Sequence, residues 1–177
     1  MQLSVREMKL SEVNLVIDYF LNATPEYLDG MGVDPSRLPT REAWHAKLEV
    51  ELALPLRRRQ WFPVIWLLER EPVGYSSCDR IEFGGQANMH LHVIRPELRR
   101  QGIGAECVRN SVEIYFENFR LKRLFCQPYA LNVPAHRTLQ KAGFKYVKTY
   151  MTVPGPINYH QPVTQWVIDR TVEAKSC

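Results

Sequence analysis

A chain of 177 residues with 45% hydrophobic content can bury one core, and no internal stretch is rich enough in Pro, Gly or Ser to separate two units, so a single domain over 1–170 is expected. No apolar run reaches the roughly 18 residues of a membrane span, and no charged-then-apolar leader opens the chain, so the expectation is a cytoplasmic protein with no membrane partner. The net charge of +4 divides unevenly: Glu12 to Glu51 holds eight acids against three bases, and Arg95 to Lys148 holds eleven bases against four acids, which suits a cationic partner on one half and a polyanion on the other.

Gln2 to Met8 alternates apolar and polar residues and reads as a first strand. Ser11 is placed to cap a helix whose apolar face is Val13, Val16, Ile17, Phe20 and Leu21. Thr24-Pro25 opens a short helical turn that buries Tyr27, Leu28 and Met31, and Gly30 to Pro39 is loop. Thr40 caps a third helix with Trp44, Leu48 and Leu52 four apart, closed by Pro55. Arg57-Arg58-Arg59 reads as a solvated edge.

Trp61 to Glu69 is a second strand, Arg70 to Gly74 a turn carrying Pro and Gly, and Tyr75 to Phe83 a third strand. Gly84-Gly85 leads to a fourth strand, Ala87 to Ile94. A long helix follows with Val108, Val112, Tyr115, Phe116 and Phe119 on one face, and then a fifth strand, Arg123 to Gln127. The helical crossover makes the fourth and fifth strands parallel. Asn132 caps another helix, with Pro134 in its first turn and Gly143 at a left-handed stop. Phe144 to Val153 and Pro162 to Asp169 are strands six and seven, and 171–177 reads as a mobile tail. Cys78, Cys107, Cys126 and Cys177 lack metal-ligand spacing, so neither disulfide nor metal is expected.

The chemistry concentrates where the fourth strand meets the long helix, in Arg99-Arg100-Gln101-Gly102-Ile103-Gly104-Ala105. Two glycines one residue apart let the backbone approach a ligand, and exposed N–H groups at a helix start form an anion site that a pyrophosphate fits. Arg99 and Arg100 add permanent charge and forked donors. A second block, Asn132 to Phe144, contains Arg137-Thr138-Leu139-Gln140-Lys141-Ala142-Gly143-Phe144.

Together the two blocks resemble the GNAT family of acetyl-CoA-dependent N-acetyltransferases, with Arg99-x-x-Gly102-x-Gly104 matching its R/Q-x-x-G-x-G/A loop and Lys141-x-Gly143-Phe144 its second ending. The ending looks most like that of the branch containing the ribosomal-protein N-terminal acetyltransferases. The resemblance implies an α/β (α+β) fold: a mixed, mostly antiparallel seven-stranded sheet with strands four and five parallel and splayed, flanked by four to five helices. It implies acetyl-CoA as co-substrate and direct attack by a primary amine, either a protein N-terminus or a small cationic amine, in a monomer or homodimer. It places His92, Val93 and Ile94 at the thioester, Arg99 to Ala105 at the pyrophosphate, and Asn132 and Arg137 in the second cofactor block. Tyr27, Met31 and Trp44 become candidates to shape acceptor binding, although Trp44 also sits on the apolar stripe of its helix.

Two family positions are altered. A Tyr that serves relatives as general acid corresponds to Leu139, and a Glu of some N-terminal acetyltransferases corresponds to Gln127. The titratable candidates that remain are His90 and His92 on one strand face, with Glu82 and Tyr129 behind them. An alternative reading is a non-catalytic acyl-CoA-binding or regulatory module. The aromatic-basic interleaving of an RNA-recognition motif is missing, so no nucleic-acid partner is expected.

Overall fold

The computed structural model describes residues 2–99 and 101–171. Among them, seven strands form one sheet: β1 (Leu3–Glu7), β2 (Trp61–Leu68), β3 (Glu71–Asp79), β4 (Gln86–Val93), β5 (Arg123–Cys126), β6 (Lys145–Thr152) and β7 (Gln161–Asp169), in the order β1-β2-β3-β4-β5-β7-β6. The β4–β5 pair is parallel and the other pairs are antiparallel. The helices are α1 (Asn14–Leu21), α2 (Pro25–Gly30), α3 (Arg41–Ala53), α4 (Ile103–Phe119) and α5 (Val133–Lys141).

β2 is apolar along its whole length because it is covered on both faces. Phe62, Val64 and Trp66 enter the core under α4 and α5, while Ile65 and Leu67 enter the core under α1, α2 and α3. Polar bonds inside the α4 core fix how that helix lies on the sheet: Trp66 Nε1 donates to Ser111 Oγ at 2.9 Å, and the Ser76 and Tyr115 hydroxyls are 2.7 Å apart. Cys78, Cys107 and Cys126 are buried free thiols; burial pushes the latter two up to about 12. Cys177 and the rest of the expected tail beyond 171 lie outside the described residues. Among the described residues no helix is long and apolar enough to cross a membrane.

Several boundaries differ from the sequence expectation. The turn expected at Arg70 to Gly74 is a two-residue hairpin at Glu69-Arg70, both with positive φ (48° and 73°), because Leu68 pairs with Glu71. Pro72 and Gly74 belong to β3, where a bulge opposite Trp66 and Leu67 absorbs Val73. Gly74 is required by packing: a Cβ there would lie 2.6 Å from the His92 carbonyl oxygen and 2.6 Å from the Trp66 ring. The third strand stops at Asp79 rather than Phe83, since Arg80 turns into the left-handed region. Ser11 does not cap α1; a 3₁₀ turn precedes the helix, and Glu12 there accepts from the Lys9 N–H and the Arg6 guanidinium. Thr24, Thr40 and Asn132 do cap, accepting from the N–H of Tyr27, Ala43 and Ala135.

Candidate active site

β4 and β5 pair only from Gln86 opposite Arg123 to Met89 opposite Cys126. Beyond Cys126 the chain leaves β4 and follows β7, through Thr164 N–H to the Pro128 carbonyl, Ala130 N–H to the Pro162 carbonyl, and a bridge between Tyr129 and Val163. A wedge therefore opens beside the last four residues of β4, and two hollows meet in it.

The first hollow, about 810 Å³, runs from β4 to the start of α4 and along α5. Of the residues the sequence singled out, His92, Val93, Arg99, Gly102, Gly104, Ala105, Asn132 and Arg137 line it. Gly102 caps α4 in the left-handed conformation, φ 84°, and the space its Cβ would fill is empty to 4 Å, so bare backbone faces the hollow. Helix start, basic side chains and open cradle fit a pyrophosphate of acetyl-CoA.

Three predicted residues are elsewhere. Ile103 is buried in the α4 core, Ile94 packs on the opposite core, and the Gln101 amide donates to the Glu97 carbonyl, so the two isoleucines could meet a ligand only through main-chain groups. Arg100 lies outside the described residues. Arg99 turns inward, with Nη2 donating to the Val93 carbonyl at 3.1 Å and its guanidinium 4.6 Å from the Tyr27 ring centroid. The Tyr27 and Tyr19 hydroxyls lie 2.8 Å apart on the far wall.

The second hollow, about 460 Å³, lies beneath α1 and α3, where Phe20, Trp44 and Trp61 supply aromatic wall. His90 and Asp79 stand in it with His90 Nε2 3.0 Å from Asp79 Oδ2. A carboxylate only accepts, so the Nε2 proton sits between them, and a ring without a second proton keeps its lone pair on Nδ1. Burial acts to raise the Asp79 carboxyl, but the hydrogen bond and charge of His90, with the charge of Arg80, outweigh it and leave the pKa below the ordinary value.

His92 occupies a different environment. It stacks on Tyr75 at 4.8 Å between ring centroids and meets Tyr19 and Phe20 edge-on at 4.9 and 5.3 Å. Desolvation by these rings, helped by His90, pushes the imidazole down to about 3, so it is neutral near pH 7. Leu91, His92, Met31, Asn132 and Ala135 line both hollows and mark their junction.

A family model described as "Acetyltransferase (GNAT) family" matches residues 27–144, from Tyr27 in α2 to Phe144 between α5 and β6. The chain belongs to this family. It is an acetyl-CoA-dependent N-acetyltransferase in reaction class. No curated protein sequence matches it. Similar solved structures share its fold: an aminoglycoside acetyltransferase in complex with coenzyme A (20% identity, 96% of this chain and 95% of that one, TM-score 0.69). Another is a spermidine N-acetyltransferase from Vibrio cholerae in complex with CoA and spermine (13%, 95% and 95%, 0.74). A third is a ribosomal-protein-S5-alanine acetyltransferase from Vibrio fischeri (16%, 96% and 93%, 0.74).

For an acetyltransferase, the two altered positions are now located. Leu139 is fully buried core and Gln127 lines the second hollow. Glu82 is exposed on the loop before β4, 3.4 Å from the Gln86 amide, and lies outside both hollows, whereas Tyr129 lines the second. Met31 and Trp44 line that hollow as well, while Tyr27 faces the first. Asp79 was not singled out by sequence: its role depends on β3–β4 register, which sets Ser77 opposite His90 and Asp79 one diagonal step away.

Proposed function

We propose that the chain transfers the acetyl group of acetyl-CoA to a primary amine by direct attack, with the 810 Å³ cleft holding the cofactor, the 460 Å³ hollow holding the amine, and the Asp79–His90 pair acting as base. The observation that carries this reading is the junction: Leu91 and His92 border both hollows, so an amine in one meets a thioester lying in the other. Acetyl-CoA supplies the activated acyl group. Gly102 and Gly104 at the start of α4 bind its pyrophosphate with backbone N–H groups, while Ala105, whose N–H is turned to the Gly102 carbonyl, and Arg99, Arg137 and Asn132 border the same cleft.

His90 takes one proton from the attacking nitrogen at Nδ1 as the C–N bond forms and the C–S bond breaks, and Asp79 holds the resulting imidazolium. The departing sulfur gains a proton, so the balance is one amide and one thiol from one amine and one thioester. Tyr27, whose hydroxyl lies 2.8 Å from that of Tyr19, lines the cofactor cleft and can supply that proton. His92, neutral and held by aromatic rings, positions the strand backbone and does not act as base. The carboxylate–imidazole pair favours this over a non-catalytic acyl-CoA-binding module, because such a module has no use for it.

The test is to incubate the protein with acetyl-CoA and primary amines, following free thiol and acetylated amine together. One-to-one appearance of both supports the reading. Tight acetyl-CoA binding with no acetylated amine across protein N-termini, polyamines, aminoglycosides and arylalkyl amines contradicts it.

A further inference from the structure

Among the described residues, three buried side-chain polar atoms lack a hydrogen-bond partner: Tyr75 Oη, Asp79 Oδ1 and Gln161 Oε1. All three belong to side chains lining the 460 Å³ hollow. Leaving one such atom unsatisfied costs on the order of 1–3 kcal/mol, so three gathered in one cavity mark a place that a ligand completes. Asp79 Oδ1 and Gln161 Oε1 are acceptors, so the occupant must bring donors to two separate points.

The remaining lining restricts the occupant further. Charged groups facing the cavity are Lys47, Glu51, Asp79 and, when protonated, His90. Glu51 already accepts from the N–H groups of Gln60 and Trp61. Two carboxylates, Asp79 and a Glu51 already held by backbone N–H groups, stand against Lys47, which leaves little net negative charge for several ammonium groups. Phe20, Trp44 and Trp61 instead offer apolar and aromatic contact.

The far end is closed by main-chain ties between the loop after α2 and the β6–β7 loop. Asp34 N–H donates to the Ile157 carbonyl, the Asn158 amide donates to the Gly32 carbonyl, and Val33 bridges Asn158. Gln161 is pressed beneath Gly32, whose φ of 72° and absent side chain leave room for it. These ties wall off one end of the hollow, so an occupant is bounded there rather than continuing along an extended groove.

Resting on the acetyltransferase reading above, we propose that the acceptor is a small monoamine with an aromatic or otherwise apolar body and a second hydrogen-bond donor remote from the amine. The amine lies at the Asp79–His90 pair, the body packs on Phe20, Trp44 and Trp61, and the remote donor reaches Gln161 Oε1.

The experiment compares kcat/KM for tyramine, 2-phenylethylamine, spermidine, kanamycin and a tetrapeptide with a free N-terminus, and measures quenching of tryptophan fluorescence by tyramine without acetyl-CoA. Tyramine is expected to exceed spermidine, kanamycin and the peptide by at least about tenfold, and to exceed 2-phenylethylamine by about tenfold through its hydroxyl. Gln161→Leu should bring the tyramine to 2-phenylethylamine ratio to about one, and Gly32→Ala, which displaces the Gln161 amide, should do the same if the first variant folds poorly. Preference for spermidine, kanamycin or the peptide overturns this inference while leaving acetyl transfer intact. Saturable quenching by tyramine with no thiol release from any amine supports the ligand class and overturns the transfer reading. Neither quenching nor turnover with tyramine overturns the inference.

Discussion

Arg99 bridges the cofactor cleft to Tyr27: its guanidinium stands 4.6 Å from the Tyr27 ring centroid while Nη2 holds the Val93 carbonyl at 3.1 Å. The same side chain is thus tied to α2, to the end of β4 and to the loop that leads into α4. A phosphate arriving at the start of α4 finds a cation already fixed at its edge. Arg99→Ala should weaken acetyl-CoA binding by about 1.5–3 kcal/mol, the range for a hydrogen bond to a charged group. Calorimetry at low and high salt checks this; the loss should shrink as salt rises. Arg99→Lys should recover only part of it, having no planar fork to lay on Tyr27.

Gly104→Glu gives a cleaner probe of the phosphate loop than Gly102→Glu. A Cβ at Gly104 meets Thr138 at 3.5 Å, an ordinary contact, whereas Gly102 has φ 84° and any side chain there strains the backbone. The Gly104 variant should keep its thermal stability and lose measurable acetyl-CoA binding, because the new carboxylate faces the pyrophosphate. Unchanged affinity by calorimetry would remove the loop from the site.

Ser111 joins α4 to the sheet by accepting from Trp66 Nε1 and donating to the Cys107 carbonyl at 2.8 Å. Ser111→Ala strands the buried indole N–H and should cost about 1–3 kcal/mol in urea unfolding. A loss below about 0.5 kcal/mol would mean that water replaces the hydroxyl.

The parts that sequence made legible are those set by neighbours along the chain. Thr24, Thr40 and Asn132 cap their helices because capping needs only the next three residues. Gly143, with φ 97°, ends α5 where a left-handed residue is required, and Phe144 N–H returns to the Leu139 carbonyl. The glycine spacing at the start of α4 is local in the same way.

Features governed by contacts across the sheet were hidden. Glu69 and Arg70 form a tight turn without glycine, so the Pro72–Gly74 stretch drew the turn into a strand. Gly74 serves instead to let Trp66 and the His92 carbonyl approach. Asp79 meets His90 only through the β3–β4 register, which no local signal discloses. The cage around His92 assembles Tyr19 and Phe20 of α1 with Tyr75 of β3, residues distant in sequence.

That cage has a consequence for acid stability. The unfolded chain's imidazole takes a proton near its ordinary 6.5, while the folded one resists until about pH 3. Between those values the unfolded state binds more protons, so this contribution is complete above pH 6.5 and is lost as pH falls towards 3. Each pH unit inside that window should cost up to about 1.4 kcal/mol. His92→Phe, which keeps an aromatic ring in the cage, should flatten the dependence of urea-unfolding stability on pH between 6.5 and 4. An unchanged slope would mean that His92 gains a partner for its charged form.

The central claim, that the Asp79–His90 pair deprotonates the amine, is tested most directly by the pH profile of kcat/KM for the unmodified protein and for His90→Gln at saturating acetyl-CoA. The account predicts a fall of about 100-fold or more in the variant, within the usual range for a general base, with nearly unchanged acetyl-CoA affinity and no acidic limb. Full activity in His90→Gln with the acidic limb retained would contradict it and assign the proton to water.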